Sequence, residues 1–92
     1  MTNHKVKCAN FEIANDKSFT LIAGPCQLES EQHALDISKE LKQITSDLKI
    51  NLIYKTSFDK ANRTSLKGQR GMGLEKSLPI FDKIRNEVGI PI

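Results

Sequence analysis

The fold of this chain is decided by residues 19–54, FTLIAGPCQLESEQHALDISKELKQITSDLKINLIY. The apolar run at 19–23 ends at a Gly-Pro pair, which predicts a short strand buried on both faces. From Ser30, a good helix N-cap, apolar residues recur every three or four positions to about residue 48 and predict a helix. The run NLIY at 51–54 predicts a second strand. Strand, helix and strand in this order are typical of a parallel α/β fold.

The two helical patterns each predict a buried face. The face of the first helix would consist of Ala34, Leu35, Ile37, Leu41, Ile44 and Leu48. The face of the second would consist of Leu74, Leu78, Phe81, Ile84 or Arg85, and Val88, with Gly89 as the C-terminal cap. Pro79 leaves two alternatives: either the helix starts near Leu74 and kinks, or Ser77 caps a shorter helix.

The two ends of the chain extend this pattern. Residues 5–13 alternate weakly and predict a short hairpin whose turn is supplied by Asn15-Asp16. The last residues, GIPI at 89–92, resemble the entry into a third strand. A closed eight-fold barrel needs about 250 residues. We therefore interpret the 92 residues as about two and a half strand-helix units of a truncated barrel.

Composition indicates one small domain of the globular class. The hydrophobic content of 38% argues against disorder, and no apolar run approaches the ~20 residues that cross a bilayer. The N-terminus lacks a secretory signal pattern, so we expect a cytoplasmic protein. Two cysteines are too few for a disulfide framework.

Positive charge is concentrated after the second predicted strand. Between residues 55 and 73 there are five cations and one acid. They are Lys55, Lys60, Arg63, Lys67 and Arg70, against Asp59. A local cluster with a single aromatic suits a compact anion such as a phosphate better than a nucleic acid, which usually adds stacking aromatics. A solvated polar loop is the alternative that the pattern leaves open.

Cys26 follows the first predicted strand at the edge where ligands bind in parallel α/β folds. A thiolate there could bind a borderline divalent metal. The alternative is an inert small side chain after a turn, because no histidine or carboxylate lies at ligand spacing from it.

Three motifs together resemble the family of bacterial 3-deoxy-D-manno-octulosonate 8-phosphate synthase, also called 2-dehydro-3-deoxyphosphooctonate aldolase. They are GPCQLES at 24–30, YKTSFDKANRTS at 54–65 and RGMGLE at 70–75. The resemblance covers the N-terminal third of that family. It implies that residues 1–92 consist of a short N-terminal hairpin followed by the beginning of a TIM (β/α)8 barrel. The barrel is cut before strand 3.

The resemblance also implies a reaction and a set of site residues. In that family a homotetramer condenses phosphoenolpyruvate with D-arabinose 5-phosphate, releasing phosphate, in lipopolysaccharide biosynthesis. The positions that match its substrate-binding motif are Lys55, Ser57, Lys60, Asn62, Arg63 and Thr64. Lys55 and Lys60 would hold phosphoenolpyruvate, with Lys60 also acting at the reacting aldehyde. The motif's Asn-Arg-Thr run would hold the sugar phosphate, and Ser57 would shape the pocket.

Cys26 matches the metal-dependent branch of the family, which implies Zn, Fe or Mn as the cofactor. The other ligands would come from later strands, so we expect no catalysis by these 92 residues alone. Thr64 replaces the usual Ser, and Met72 replaces the usual Pro. Two alternatives remain: the sister enzyme 3-deoxy-arabino-heptulosonate 7-phosphate synthase, or a non-catalytic module that binds anions or nucleic acid. Neither nucleic acid nor a membrane is an expected partner.

Overall fold

The structure is a computed structural model that describes residues 4–59 and 73–92. The elements in chain order are strands β1 (Val6–Cys8), β2 (Phe11–Ile13) and β3 (Thr20–Ala23), helix α1 (Glu31–Leu48), strand β4 (Asn51–Tyr54), helix α2 (Leu74–Lys83) and a π-helical turn (Ile84–Val88). β1 and β2 form an antiparallel hairpin, and β3 pairs with β4 in parallel. The predicted strand-helix-strand unit is therefore confirmed.

Helix α1 has the predicted boundaries, and both ends are capped. Ser30 is the N-cap, and its hydroxyl oxygen accepts a hydrogen bond from the His33 amide at 3.1 Å. Lys49 follows the helix in the left-handed conformation with φ of 56°. The Ile50 amide donates back to the Thr45 carbonyl at 3.0 Å, as in a Schellman motif. The chain therefore reverses within three residues and enters β4.

The buried face of α1 is rotated from the prediction. Ala34 and Leu35 are buried as expected, but Ile44 and Leu48 are exposed. Ser38 and Thr45 are buried instead, and the Thr45 hydroxyl donates to the Leu41 carbonyl at 2.8 Å. A hydroxyl that bonds to a carbonyl of its own helix can be buried without a partner elsewhere. A prediction based on apolar residues alone therefore does not identify buried serine and threonine.

Strand β3 is buried on one face rather than two. Leu21 and Ala23 pack against the core, whereas the Ile22 side chain is 59% exposed. Successive side chains of a strand point to opposite faces. Among the residues described, only the face of β3 toward the helices is covered.

Helix α2 begins at Leu74, so the first of the two alternatives has the right start, and Pro79 lies inside the helix. The predicted face was wrong at its beginning, because Leu74 and Leu78 are exposed. The face that packs inward consists of Ser77, Ile80, Ile84 and Val88. The π-helical turn ends at Gly89, whose φ of 80° supports the predicted cap.

The N-terminal hairpin is confirmed, but its turn was misplaced. Cys8 pairs with Phe11, so the two-residue loop is Ala9-Asn10, with Ala9 at φ of 50°. Asn15-Asp16 lie in the next turn, which leads out of the hairpin toward β3. An alternating pattern of three-residue strands is too short to fix where the reversal occurs.

The last residues lie beside β4. The Tyr54 amide donates to the Pro91 carbonyl at 2.9 Å, and Ile90 is buried. Neighbouring amides of a strand point to opposite edges, and the next amide, that of Lys55, bonds to Ala23 of β3. Residues 89–92 therefore approach the edge of β4 away from β3, although they have no strand assignment.

The core lies between the parallel strands and the helices. It consists of Leu28, Ala34, Leu35, Leu52, Tyr54, Ile80, Ile84, Val88 and Ile90. Within residues 4–59 and 73–92, neither helix combines the length and apolarity that crossing a membrane would need.

Tyr54 carries an unsatisfied hydroxyl in this core, which leads to a stability prediction. Its side chain is fully buried, and its oxygen has no hydrogen-bond partner among the described residues. An unpaired buried polar group destabilises the folded state by roughly 1–3 kcal/mol. We therefore expect Tyr54→Phe to raise the free energy of unfolding in urea by about 1 kcal/mol.

The same variant should change the response to alkaline pH. Burial raises the pKa of the Tyr54 phenol above its ordinary value. A raised pKa contributes stability that is complete below pH of about 10 and is lost as the pH rises through the folded value. Unfolding measured from pH 8 to 11 should show wild type weakening relative to Tyr54→Phe above pH of about 10. A lower stability of Tyr54→Phe at neutral pH would show that the hydroxyl has a partner.

Candidate functional site

The carboxyl ends of β3 and β4 lie side by side. Ala23 pairs with Tyr54 in the parallel register, and the Lys55 amide donates to the Ala23 carbonyl at 2.9 Å. The segments that leave the two strands, 24–28 and 55–59, therefore start next to each other. We refer to them as the first and second site loops.

Gly24 makes this close approach possible. A Cβ atom added at this position would lie 1.8 Å from the Lys55 carbonyl oxygen. Real Cβ atoms do not approach backbone that closely, and the clash cannot be relieved by turning a side chain. Glycine is thus required here by the neighbouring strand end, and packing explains the glycine of the Gly-Pro turn seen in the sequence.

Two hydrogen bonds join the site loops beyond the strand ends. The Thr56 hydroxyl donates to the Pro25 carbonyl at 2.7 Å. The Leu28 amide donates to the Ser57 carbonyl at 2.8 Å. Leu28 is fully buried in the core. The site loops therefore form one surface that is anchored to the core by Leu28.

An open cleft of about 600 Å³ lies over this surface. It is lined by Ile22, Ala23, Gly24, Pro25, Cys26, Lys55, Thr56, Ser57, Phe58 and Asp59. The cleft combines an ammonium group, a thiol and short hydroxyls with the apolar side chain of Ile22. An ammonium beside short donors is suited to a phosphate or a carboxylate. The structure thus brings Lys55, Ser57 and Cys26, three of the predicted site residues, into one cleft.

Lys55 and Ser57 differ in how they are held. The Lys55 side chain is exposed at the end of β4. The Ser57 hydroxyl donates to the Asp59 carbonyl at 2.8 Å and lies 3.3 Å from the Asp59 amide, from which it accepts. Ser57 therefore shapes the turn of the second site loop, whereas the ammonium of Lys55 extends from a strand end.

Cys26 has an exposed free thiol at the edge of the cleft. A metal site usually needs three or four ligands. Within residues 4–59 and 73–92, no group of three or more His, Cys, Asp and Glu side chains converges on one point. This part of the chain therefore presents one exposed thiol at the cleft and does not contain a complete set of metal ligands.

The remaining predicted site residues, Lys60, Asn62, Arg63 and Thr64, lie outside the described residues. The described chain resumes at Gly73, whose amide donates to the Phe58 carbonyl at 2.9 Å. This bond holds the start of α2 against the second site loop.

Sequence analysis missed the contribution of Thr56. It lies between two predicted substrate-binding residues, Lys55 and Ser57, and its residue type indicates no particular partner. Its partner Pro25 is 31 residues away in sequence, so no local spacing indicates the contact. The exposed Ile22 was also missed, because its strand was expected to be buried on both faces.

Comparison with known proteins identifies relatives of this chain. It is 51% identical to a protein from Brucella anthropi over 90 residues, 56% identical to one from Rickettsia typhi over 87, and 54% identical to one from Bradyrhizobium diazoefficiens over 87. All three are named 2-dehydro-3-deoxyphosphooctonate aldolase. These names confirm the resemblance inferred from the motifs.

The extent of the match is uneven. The alignments cover 98%, 95% and 95% of this chain but 32%, 32% and 31% of the three relatives. The chain thus spans about a third of the length of the relatives it matches. The model of the DAHP synthetase I family matches residues 3–92. Since that match extends over nearly the whole sequence, the chain belongs to the DAHP synthetase I family.

Proposed function

We propose that this chain forms one wall of an active site that condenses phosphoenolpyruvate with D-arabinose 5-phosphate. The products would be 3-deoxy-D-manno-octulosonate 8-phosphate and inorganic phosphate, in lipopolysaccharide biosynthesis. The observation that carries the proposal is the single cleft shared by Lys55 and Cys26 at the carboxyl ends of two parallel strands. The names of the relatives support it.

The proposed architecture is the first part of a (β/α)8 barrel, with β3 and β4 as its first two strands. Several large apolar side chains remain exposed in the described part of the chain. They include Phe19, Ile22, Leu74, Leu78 and Ile92. In relatives three times as long, further strand-helix units would cover these side chains, and four such barrels would assemble into the tetramer. Residues 89–92, beside the edge of β4 that faces away from β3, would lead into the third strand.

In the proposed reaction, the cationic side chains would neutralise the charge of the substrates. The enol carbon of phosphoenolpyruvate attacks the sugar aldehyde, water attacks the adjacent carbon, and phosphate leaves by cleavage of its C–O bond. Both substrates are phosphorylated, so fixed cations are needed to offset their repulsion. Lys55 would hold phosphoenolpyruvate from the end of β4, and Lys60 would act there and at the aldehyde. Asn62, Arg63 and Thr64 would hold the phosphate of the sugar.

Cys26 would contribute one ligand to a divalent Zn, Fe or Mn ion. An exposed thiol beside a cleft suits such an ion, because thiolates are ligands for borderline metals. When bound, the ion would polarise a substrate oxygen as a Lewis acid. In the longer relatives, the remaining metal ligands would lie beyond the region that this chain matches. For the same reason we expect no condensation by the 92-residue chain alone.

The proposal predicts that Lys55→Ala weakens the binding of phosphoenolpyruvate. A charge-assisted hydrogen bond contributes about 1.5–3 kcal/mol, which corresponds to roughly 10- to 100-fold in affinity. Titration of the 92-residue chain with phosphoenolpyruvate, followed by amide NMR shifts, would measure this change.

Lys39→Ala is the matched control for this titration, since Lys39 is an exposed lysine of α1 away from the cleft. Its affinity should equal that of wild type. Equal affinities of Lys55→Ala and Lys39→Ala would contradict the proposed role. Binding that tracked oligonucleotide length and fell steeply with salt would favour the non-catalytic module that binds anions or nucleic acid instead.

A chimera would distinguish the two synthase activities. Joining residues 1–92 to the last two-thirds of the Rickettsia typhi relative gives a chain of that relative's full length. With phosphoenolpyruvate, we expect this chimera to consume arabinose 5-phosphate in preference to erythrose 4-phosphate, and equal or reversed use of the two sugars would favour the sister enzyme.

A further inference from the structure

We propose that Thr56 is a positioning residue that sets the orientation of Cys26 relative to Lys55. The hydroxyl of Thr56 donates to the Pro25 carbonyl at 2.7 Å, between residues 31 positions apart. Thr56 immediately follows the lysine of the cleft, and Pro25 immediately precedes the cysteine. One hydrogen bond therefore links the two backbone segments that present these side chains.

The backbone before Cys26 has one soft torsion that this bond controls. The ring of Pro25 holds its φ near about −65°. The peptide bond between Pro25 and Cys26 is planar, because resonance restricts its rotation. The ψ of Pro25 consequently orients both its own carbonyl and the Cys26 amide. By holding that carbonyl, the Thr56 hydroxyl determines where the peptide plane of Cys26 points.

The surrounding contacts confine the effect to the cleft. On one side, the Lys55 amide bonds to the Ala23 carbonyl, and on the other the Leu28 amide bonds to the Ser57 carbonyl. These bonds flank the Thr56 contact at the strand ends and at the core anchor, so they are the first that its loss would weaken. Loss of the hydroxyl should therefore loosen the turn between them, while α1 and the helical core remain folded.

The inference relies on the proposed function only for identifying this cleft as a substrate wall. The hydrogen bond itself is independent of any ligand. A test can therefore measure the relative position of Cys26 and Lys55 directly, without substrate or metal.

The test compares Thr56→Val, which removes the hydroxyl at nearly constant volume, with Thr56→Ser, which keeps it. Both are made in a Cys8→Ser background, so that Cys26 is the single thiol. A short maleimide and active-ester reagent then joins the thiol of Cys26 to nearby amines, and mass spectrometry measures the yield at Lys55. Hydrogen exchange at the Lys55 and Leu28 amides is followed in parallel.

We expect Thr56→Val to lower the Cys26–Lys55 cross-link yield and to speed exchange at the Lys55 or Leu28 amide by roughly fivefold, which corresponds to one ordinary hydrogen bond. Thr56→Ser should restore both values. Thr45→Val is the matched control, because it removes a hydroxyl that donates inside α1. It should leave both readouts at the cleft unchanged. Thr56→Ala is measured as well, because it removes the hydroxyl without adding a methyl and so separates the two effects of the valine substitution.

An unchanged cross-link yield in both Thr56→Val and Thr56→Ala would overturn the proposal, as would a serine variant that behaves like valine. A purely structural role would alter the global free energy of unfolding and leave the cross-link yield of the folded protein as in wild type. Failure to bind phosphoenolpyruvate is a separate result. It would refute the proposed function, while the positional effect of Thr56 would stand or fall on the cross-link alone.

Discussion

Replacing Gly24 by alanine is expected to destabilise the protein by at least about 3 kcal/mol, at or above the upper end of the range for overpacked sites. The added Cβ would lie 1.8 Å from the Lys55 carbonyl oxygen and 2.8 Å from its carbonyl carbon. Both atoms are backbone, so relief requires the ends of β3 and β4 to separate. Separation would break the bond between the Lys55 amide and the Ala23 carbonyl. Urea unfolding followed by circular dichroism measures the loss.

Gly73→Ala is the control for this experiment. Its added Cβ meets no atom of the residues that the structure describes within 4 Å, but its φ of 81° is unfavourable for alanine. We expect a penalty of about 1 kcal/mol from backbone strain alone. If Gly24→Ala costs no more than Gly73→Ala, the close approach of the two strand ends is wrong. The comparison therefore separates a steric requirement for glycine from a conformational one.

Leu28→Ala is expected to destabilise the protein by about 3 kcal/mol, within the range for large-to-small core substitutions. Leu28 is fully buried, although it lies in a loop rather than in a helix or strand. Its amide also bonds to the Ser57 carbonyl at 2.8 Å. Truncation would leave a cavity and release the anchor of both site loops. Urea unfolding measures the stability, and hydrogen exchange at the Leu28 amide reports the anchor.

Leu48→Ala provides the matched control, since it makes the same chemical change at the end of α1. The Leu48 side chain is 64% exposed. We expect a change within about 0.5 kcal/mol, as for most surface substitutions. Similar losses of stability for the two leucines would contradict the burial of Leu28 and the exposure of Leu48.

The fold was largely predictable because its signals are local. The change from a strand-like run to a helical period and back locates β3, α1 and β4, and the cap at Ser30 marks the start of the helix. The buried faces of the helices were less predictable. Ile44 and Leu48 continue the apolar pattern but are exposed, whereas Ser38 and Thr45 are buried. A periodic pattern locates a helix well, but it does not say which side the neighbouring elements cover.

The candidate site was predictable in part. Lys55, Ser57 and Cys26 were expected at the carboxyl ends of neighbouring strands, and the structure places all three in one cleft. Thr56 was not identified, because its partner Pro25 is distant in sequence. The steric reason for Gly24 was also hidden, since it depends on the carbonyl of Lys55.

By itself, the sequence determined the order of the elements, the family and the motifs that carry the chemistry, because these depend on neighbouring residues and on residue identity. Only the tertiary structure decided how the two site loops are joined, which faces are buried and why Gly24 must be glycine. Those features depend on contacts between β3, β4 and their loops, which form only after α1 returns the chain to the same sheet edge. Local spacing carries no record of them, since each contact joins residues about thirty positions apart.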